Sequence, residues 1–207
     1  MPGLIQGIIE QGGRVYAKWD PSKKGSSITL SNGNLTAAAT GASSHMVLST
    51  IGVSSGKYYW EVTIVSTGGL DRPSVGIAQV QGGGYNTQLG TSSNSWAFRR
   101  EPFGASQQKY NNSTGSAYGV APLIAVGQVI SIALDMGSGT VTMYKDGVDQ
   151  GGTMYSGLSG TIYAAVSKSG TSTMTYTANF GQNSWAAGTS SLRTTLAGSG
   201  YTIGLYV

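Results

Sequence analysis

Few side chains in this sequence can do chemistry, and their spacing decides what they can do. The carboxylates are Glu10, Asp20, Glu61, Asp71, Glu101, Asp135, Asp146 and Asp149. Glycoside hydrolysis needs two carboxyl groups ~5–9 Å apart, one as acid and one as nucleophile or base. No Glu-x-Asp-x-x-Glu set places such a pair on one strand face. Asp135 and Asp146 fall at strand ends beside glycine-containing turns, where aspartate bonds its own backbone. His45 is the single histidine and has no triad or metal-site partner at motif spacing, so it reads as a solvated loop residue. The chain has no cysteine, which removes thiol catalysis, disulfides and cysteine-based zinc sites. Gly82-Gly83-Gly84 lacks the helix and the Lys-Ser/Thr of a phosphate loop. The expectation is a protein without catalytic residues, metal or cofactor, and not an enzyme.

Recognition chemistry is what remains. Asp71, Arg72, Tyr85, Asn86, Arg99, Arg100, Phe103, Tyr110 and Asn111 fall in stretches that read as loops. Aromatics beside arginine and asparagine can stack on a sugar ring or anchor a peptide while the polar groups fix its orientation. The same residues also fit ordinary exposed loops, and both readings stay open. Charged residues make up only 10%, against ~25% in average domains. Hydroxyls, amides and glycine must therefore dominate the surface. Such a surface suits uncharged polar ligands such as glycans, and equally serves solubility alone. The net charge is +4, but the only adjacent basic pairs are Lys23-Lys24 and Arg99-Arg100. Without a basic stripe and interleaved aromatics, nucleic acid is not an expected partner. No run approaches the ~18 apolar residues of a membrane span, so membrane insertion is not expected. MPGLIQGIIEQGG does not read as a secretory leader.

The elements that position these residues read as strands. Gly127 to Gly147 carries two alternating runs, Val129–Leu134 and Thr140–Tyr144, closed by Asp146-Gly147. Asp-Gly supplies the positive φ angles of a tight hairpin. Lys57–Val65 alternates Tyr58, Trp60, Val62 and Ile64 against Tyr59, Glu61, Thr63 and Val65. Further strands are expected over Arg14–Asp20, Ile28–Leu30, Ser49–Val53, Ser74–Val80, Ser95–Phe98, Thr161–Ser167 and Thr173–Phe180. Pro21 to Gly25 reads as a turn, Ser31–Asn34 as an Asn-Gly hairpin turn, and Arg99 to Ala117 as one long polar loop. No stretch has sustained helical periodicity. Trp19, Trp60, Trp96 and Phe180 read as packing residues. Short strands with Gly-rich turns and no helix mean an all-β sandwich or barrel.

The order of these pieces resembles the SPRY domain, the core of the B30.2 module. The resemblance rests on GKYYWEV (56–62), SVGIA (74–78), SWAF (95–98), Tyr118-Gly119, GQVISIALDMGSGTVTMYKDG (127–147), AAVS (164–167) and NFGQ (179–182). It implies a bent antiparallel β-sandwich of the concanavalin-like type, acting as a non-catalytic binding module through loops at one end. The Ser/Thr/Gly-rich composition and the ending GYTIGLYV further resemble SPRY-like proteins of bacteriophage virions. The expected organisation is an N-terminal arm over 1–13, a sandwich over 14–189 and a C-terminal segment over 190–207. The expected role is a virion surface protein of tail fibre or capsid, contacting other virion subunits and host-surface glycan or protein. The alternatives are a structural decoration or connector protein and a peptide-binding SPRY adaptor. A homo-oligomer stays open.

Overall fold

A computed structural model describes residues 13–67, 72–101, 107–171 and 173–207. In chain order its strands begin β1 (Trp19–Lys24), β2 (Ile28–Ser31), β3 (Thr36–Ala39), β4 (His45–Val53), β5 (Lys57–Ser66), β6 (Ser74–Ala78) and β7 (Ser95–Arg100). There follow β8 (Gln107–Asn111), β9 (Thr114–Ala117), β10 (Val129–Asp135), β11 (Thr140–Lys145), β12 (Val148–Tyr155), β13 (Ile162–Lys168) and β14 (Met174–Asn179). Near the C-terminus lie helix α1 (Ser190–Gly198) and a short β15 (Thr202–Ile203).

The strands form two packed antiparallel sheets. A 7-stranded sheet runs β1-β4-β13-β6-β7-β8-β9, and an 8-stranded sheet runs β12-β11-β10-β5-β14-β3-β2 with β15 added beside β5. The alternation in β5 does what its period requires. Trp60, Val62 and Ile64 enter the core between the sheets with Ile130, Ile132 and Leu134 of β10. Trp19 and Phe180 meet edge-on in the same core, with ring centroids 5.4 Å apart. The Asp146-Gly147 turn has φ of 50° and 83° and closes the β11–β12 hairpin at Lys145 and Val148.

Several expectations change. The first strand lies later than expected, at Trp19–Lys24, and includes Pro21. Proline is tolerated there because β1 is an edge strand. Val15 and Ala17 bond instead to Val207 and Leu205, so residues 15–17 pair with the C-terminal end. The stretch read as one loop from Arg99 to Ala117 contains the β8–β9 hairpin, turned at Asn112 (φ 52°) and Ser113 (φ 59°). Strand β12 has no clean alternation, because its pairing with β11 slips near Gly151 and Gly152. Helix α1 forms where no helix was expected. Its sequence SSLRTTLAG has a single buried residue, Leu196, so its periodicity is faint. The 1–13 arm lies, but for Gly13, outside the described residues.

Candidate functional site

The strand connections gather at two ends of the sandwich. One end carries residues 40–44, Arg72 and Pro73 leading into β6, Glu101 just after β7, and residues 118–128 leading from β9 to β10. Arginines from β6's approach and from β7 meet there. Arg99, in β7, is 5% exposed and its Nε donates to Glu101 Oε1 at 2.7 Å. The other carboxylate oxygen, Glu101 Oε2, lies 3.3 Å from Arg72 Nε. The Arg72 side chain is 40% exposed and that of Glu101 15%, so the outer half of the cluster is the half a ligand can reach. The Arg99 guanidinium lies 3.2 Å from the centroid of the Tyr110 ring, a cation–π stack. Tyr110 in turn covers Gly115 across the hairpin, where a Cβ would come 2.3 Å from the ring. Register explains the stack: β7 pairs β8 with Arg99 opposite Gln108 and Ala97 opposite Tyr110, which makes Arg99 and Tyr110 diagonal neighbours.

Beside this cluster, residues 120–126 read VAPLIAV, and Val120 and Val126 are exposed. The loop is held from below. Lys145 is buried, and its Nζ donates to the carbonyls of Val120 (2.8 Å) and Pro122. Burial holds the Lys145 ammonium below the usual lysine range. Arg100 donates to the Ile124 carbonyl at 3.1 Å, and Ile124 itself is buried.

The expected site residues divide. Arg72, Arg99 and Arg100 come together at the end just described, while Asp71 and Phe103 lie outside the described residues. Tyr85 and Tyr110 pack on the outer face of the 7-stranded sheet, where Tyr110 takes the Arg99 stack, while Asn86 and Asn111 are held by hydrogen bonds. Arg99, Arg100, Tyr110 and Asn111 are strand residues, not loop residues. Asn111 Nδ2 donates to the carbonyls of Ser93 (2.9 Å) and Ser95 (3.0 Å), fixing the β8 turn against the 92–95 stretch. Asn86 Oδ1 accepts from the Ser26 N–H (2.9 Å) and from His45 Nδ1 (3.0 Å). His45 is thus a buried residue of β4, not a solvated loop residue. The Tyr85 carbonyl accepts from the Met46 N–H at 2.9 Å. Sequence reading missed Glu101 as the bridge between the arginines. The signal was the Arg-Arg-Glu run, 99–101. It also passed over VAPLIAV, an apolar run without a strand's turn punctuation.

Among the described residues no group of three or more His, Cys, Asp or Glu could hold a metal ion. No helix of the described residues is long and apolar enough to cross a membrane.

The model of the SPRY domain matches residues 57–183, more than half of the chain. The chain belongs to the SPRY domain family. This SPRY domain is 27% identical over 143 residues to the E3 ubiquitin-protein ligase TRIM9 of Drosophila melanogaster, covering 69% of the chain and 19% of that protein. It thus spans about a fifth of that relative's length. Among solved structures it resembles the SPRY domain of human HERC1, at TM-score 0.62 and 21% identity, covering 77% of this chain and 96% of that one. It also resembles the TRIM65 PSpry domain, at TM-score 0.58 and 18% identity, covering 79% of this chain and 92% of that one. The two structural likenesses show the two-sheet sandwich, and the family match places the chain among SPRY domains, which are protein-binding modules. The match runs from β5 through β14, so the helix and everything after it lie beyond the shared part.

Proposed function

We propose that this SPRY domain captures a protein segment at the loop end, with Arg72 as the contact that selects it. The observation that carries this reading is the shared carboxylate. Glu101 neutralises both Arg72 and buried Arg99, and only Arg72 is open to solvent. The Arg72 Nε that faces Glu101 is itself buried, so a partner carboxylate meets the exposed remainder of the Arg72 side chain and leaves the Glu101 pairing and the Arg99–Tyr110 stack in place. The 118–128 connection at the same end exposes Val126, and exposed apolar surface together with a charged anchor is a usual form of protein recognition site.

The test is selection of a random peptide library displayed on beads against the full chain. Acidic peptides with an adjoining apolar residue are expected to enrich. Arg72→Glu is expected to lose their binding by about tenfold or more while still melting cooperatively, since a hydrogen bond to a charged group contributes on the order of 1.5–3 kcal/mol. Equal binding by wild type and Arg72→Glu would overturn the reading.

A second reading places the chain on a bacteriophage virion, of tail fibre or capsid, with host-surface glycan or another virion subunit as ligand. The 10% charge content and the Ser/Thr/Gly-rich surface support it. Binding of the purified chain to intact bacteria and to a glycan array, with peptide selection negative, would favour this reading over the first.

A further inference from the structure

An antiparallel sandwich must protect the edges of its sheets, because an unpaired strand edge recruits another chain. Three of the four edges here are protected. Edge strand β1 carries Asp20, Pro21, Lys23 and Lys24. On β2, the Ile28 carbonyl is taken by Lys24 Nζ at 2.8 Å. On β12 the pairing is bulged, and Asp149 Oδ1 accepts the N–H groups of Gly151 (2.7 Å) and Gly152 (2.6 Å). The fourth edge, β9, has none of these devices. It reads Thr-Gly-Ser-Ala, without charge or proline, all four residues are exposed, and its register with β8 is unbroken.

The hairpin turn fixes which backbone groups of β9 are free. Asn112 and Ser113 form a two-residue turn of positive φ, so Asn111 and Thr114 are a hydrogen-bonded pair, and so are Lys109 and Ser116. The Tyr118 N–H to Gln107 carbonyl bond, at 3.1 Å, continues the same alternation. The N–H and C=O of Gly115 and Ala117 therefore point away from β8, where among the described residues the sheet has no further strand.

We infer that β9 is a self-association edge, and that its occupant is the β9 of a second copy of this chain. An antiparallel pairing about a twofold axis at Ser116 sets Gly115 opposite Ala117 of the second copy and Ala117 opposite Gly115. Every outward backbone group on both edges is then bonded, and the assembly closes at two copies, as an isologous interface does. Electrostatics favour the same occupant. The molecule carries a net +4, yet the four residues of β9 and the exposed Val120, Ala121, Pro122 and Val148 carry no charge, and the exposed charge next to them on β12, Asp149, spends Oδ1 on the Gly151 and Gly152 N–H groups, so the ladder itself forms without like charges facing each other. A four-residue ladder alone falls short of the ~1,000 Å² of a stable interface. The flank continues it: Tyr118 Oη donates to the Gly152 carbonyl at 2.7 Å and Gln150 Oε1 accepts the Val120 N–H at 3.1 Å, bringing β12 and the exposed Val120 and Val148 to the same side.

The cysteine-free chain makes the register directly testable. Ser116 would face its twin in a non-hydrogen-bonded pair, at a separation of about 4.5 Å that a disulfide can bridge. Thr114 would lie two residues off axis in each copy, on the order of 13 Å from its twin and out of reach. Sedimentation of the full chain over a hundredfold concentration range is expected to show a reversible dimer. Ala117→Pro removes an outward N–H that β8 does not use, and Ala117→Lys sets like charges across the axis. Each is expected to shift dimerisation to at least tenfold higher concentration at unchanged melting temperature, and should either fail to fold, the other carries the test. Under mild oxidation Ser116→Cys is expected to form a disulfide-linked dimer at least tenfold faster than Thr114→Cys. A chain that stays monomeric throughout, a dimer untouched by the folded Ala117 variant, or equal oxidation of the two cysteine variants would each overturn the inference.

Discussion

The two sheets share one core, but their outer faces are covered in opposite ways. Across the 7-stranded sheet the connection from β6 to β7 lies on small residues, Ala78, Ala97 and Ala165, with Met46 and Leu48, and it drives Leu89 in as a fully buried plug. Neutral bonds hold it: the Leu89 N–H donates to Ser167 Oγ (2.9 Å) and the Gly90 N–H to Ser95 Oγ (2.9 Å). Across the 8-stranded sheet the cover is the C-terminal stretch. It brings Trp185, Leu192, Leu196, Tyr201 and Ile203 onto Tyr59, Ala133 and Tyr144, and it closes around a buried carboxylate. Glu61 accepts from Tyr59 Oη (2.7 Å), Thr189 Oγ1 (2.5 Å) and the Ala186 N–H (3.1 Å), with Arg193 3.5 Å away. One cover is a shape fit on small side chains; the other is a polar lock under aromatics. The difference follows from what each sheet offers outward, alanine and serine on one, Tyr59 and Glu61 on the other.

The sharpest way to break the contrast is to remove the lock. Glu61→Ala leaves the Ala186 N–H without its acceptor and Arg193 without its carboxylate, confines Tyr59 Oη to Ser131 Oγ and Thr189 Oγ1 to the Ala186 carbonyl, and opens a cavity beneath the helix. A loss of about 3–5 kcal/mol is expected, the size seen when one partner of a buried charged network is deleted. Urea unfolding followed by tryptophan fluorescence measures it, and Trp185, 5.6 Å from the Tyr59 ring, reports the cover itself. A loss below about 1 kcal/mol would mean that Glu61 is incidental to the cover. Leu89→Ala tests the other face. A buried leucine truncated to alanine costs about 2–5 kcal/mol, and the lower half of that range, about 2–3, is expected because a connection can relax into the space more easily than a strand. If Leu89→Ala cost more than Glu61→Ala, the polar lock would be the weaker cover.

How much of this was legible in the sequence follows the same division. Strands with one face in the shared core showed their period plainly. In β5, Trp60, Val62 and Ile64 announce the core, and in β14 Met174, Tyr176 and Ala178 do the same. The covers were not legible. Ala78, Ala97 and Ala165 carry no signal that a connection will lie on them. SSLRTTLAG is too polar to read as a helix, because its partner is a half-polar sheet face and one leucine suffices to seat it. The cover over Tyr59 and Glu61 was not readable from β5, because the Ala186 and Thr189 donors that close around Glu61 come from residues more than a hundred positions away. At the candidate site the pairing of Arg99 with Tyr110 depended on strand register, which local pattern does not give, and the β8–β9 hairpin was hidden by its low hydrophobicity. The Asp146-Gly147 turn was readable because its chemistry is wholly local.

The mildest probe of the contrast is alkali, because the two covers differ in what they bury. Burial, and then the adjacent Glu61 carboxylate, hold the Tyr59 phenol well above the usual tyrosine range. The unfolded chain releases that proton near pH 10; the folded chain keeps it to higher pH. Between those limits the folded state binds more protons, so the stability tied to Tyr59 is intact below about pH 10 and declines as pH rises above it. Tyr118 and Tyr155, also raised by burial, the latter to about 12, contribute to the same decline from the flank of β9 and β12. Tyr59→Phe separates the terms. Its melting temperature is expected to fall less than that of the wild type between pH 9 and 11, with the Trp185 signal the part most protected. Parallel declines in the two proteins would take the alkaline weakness away from Tyr59 and leave it to the other tyrosines raised by burial, Tyr144 and Tyr201 in the same cover and Tyr118 and Tyr155 on the flank.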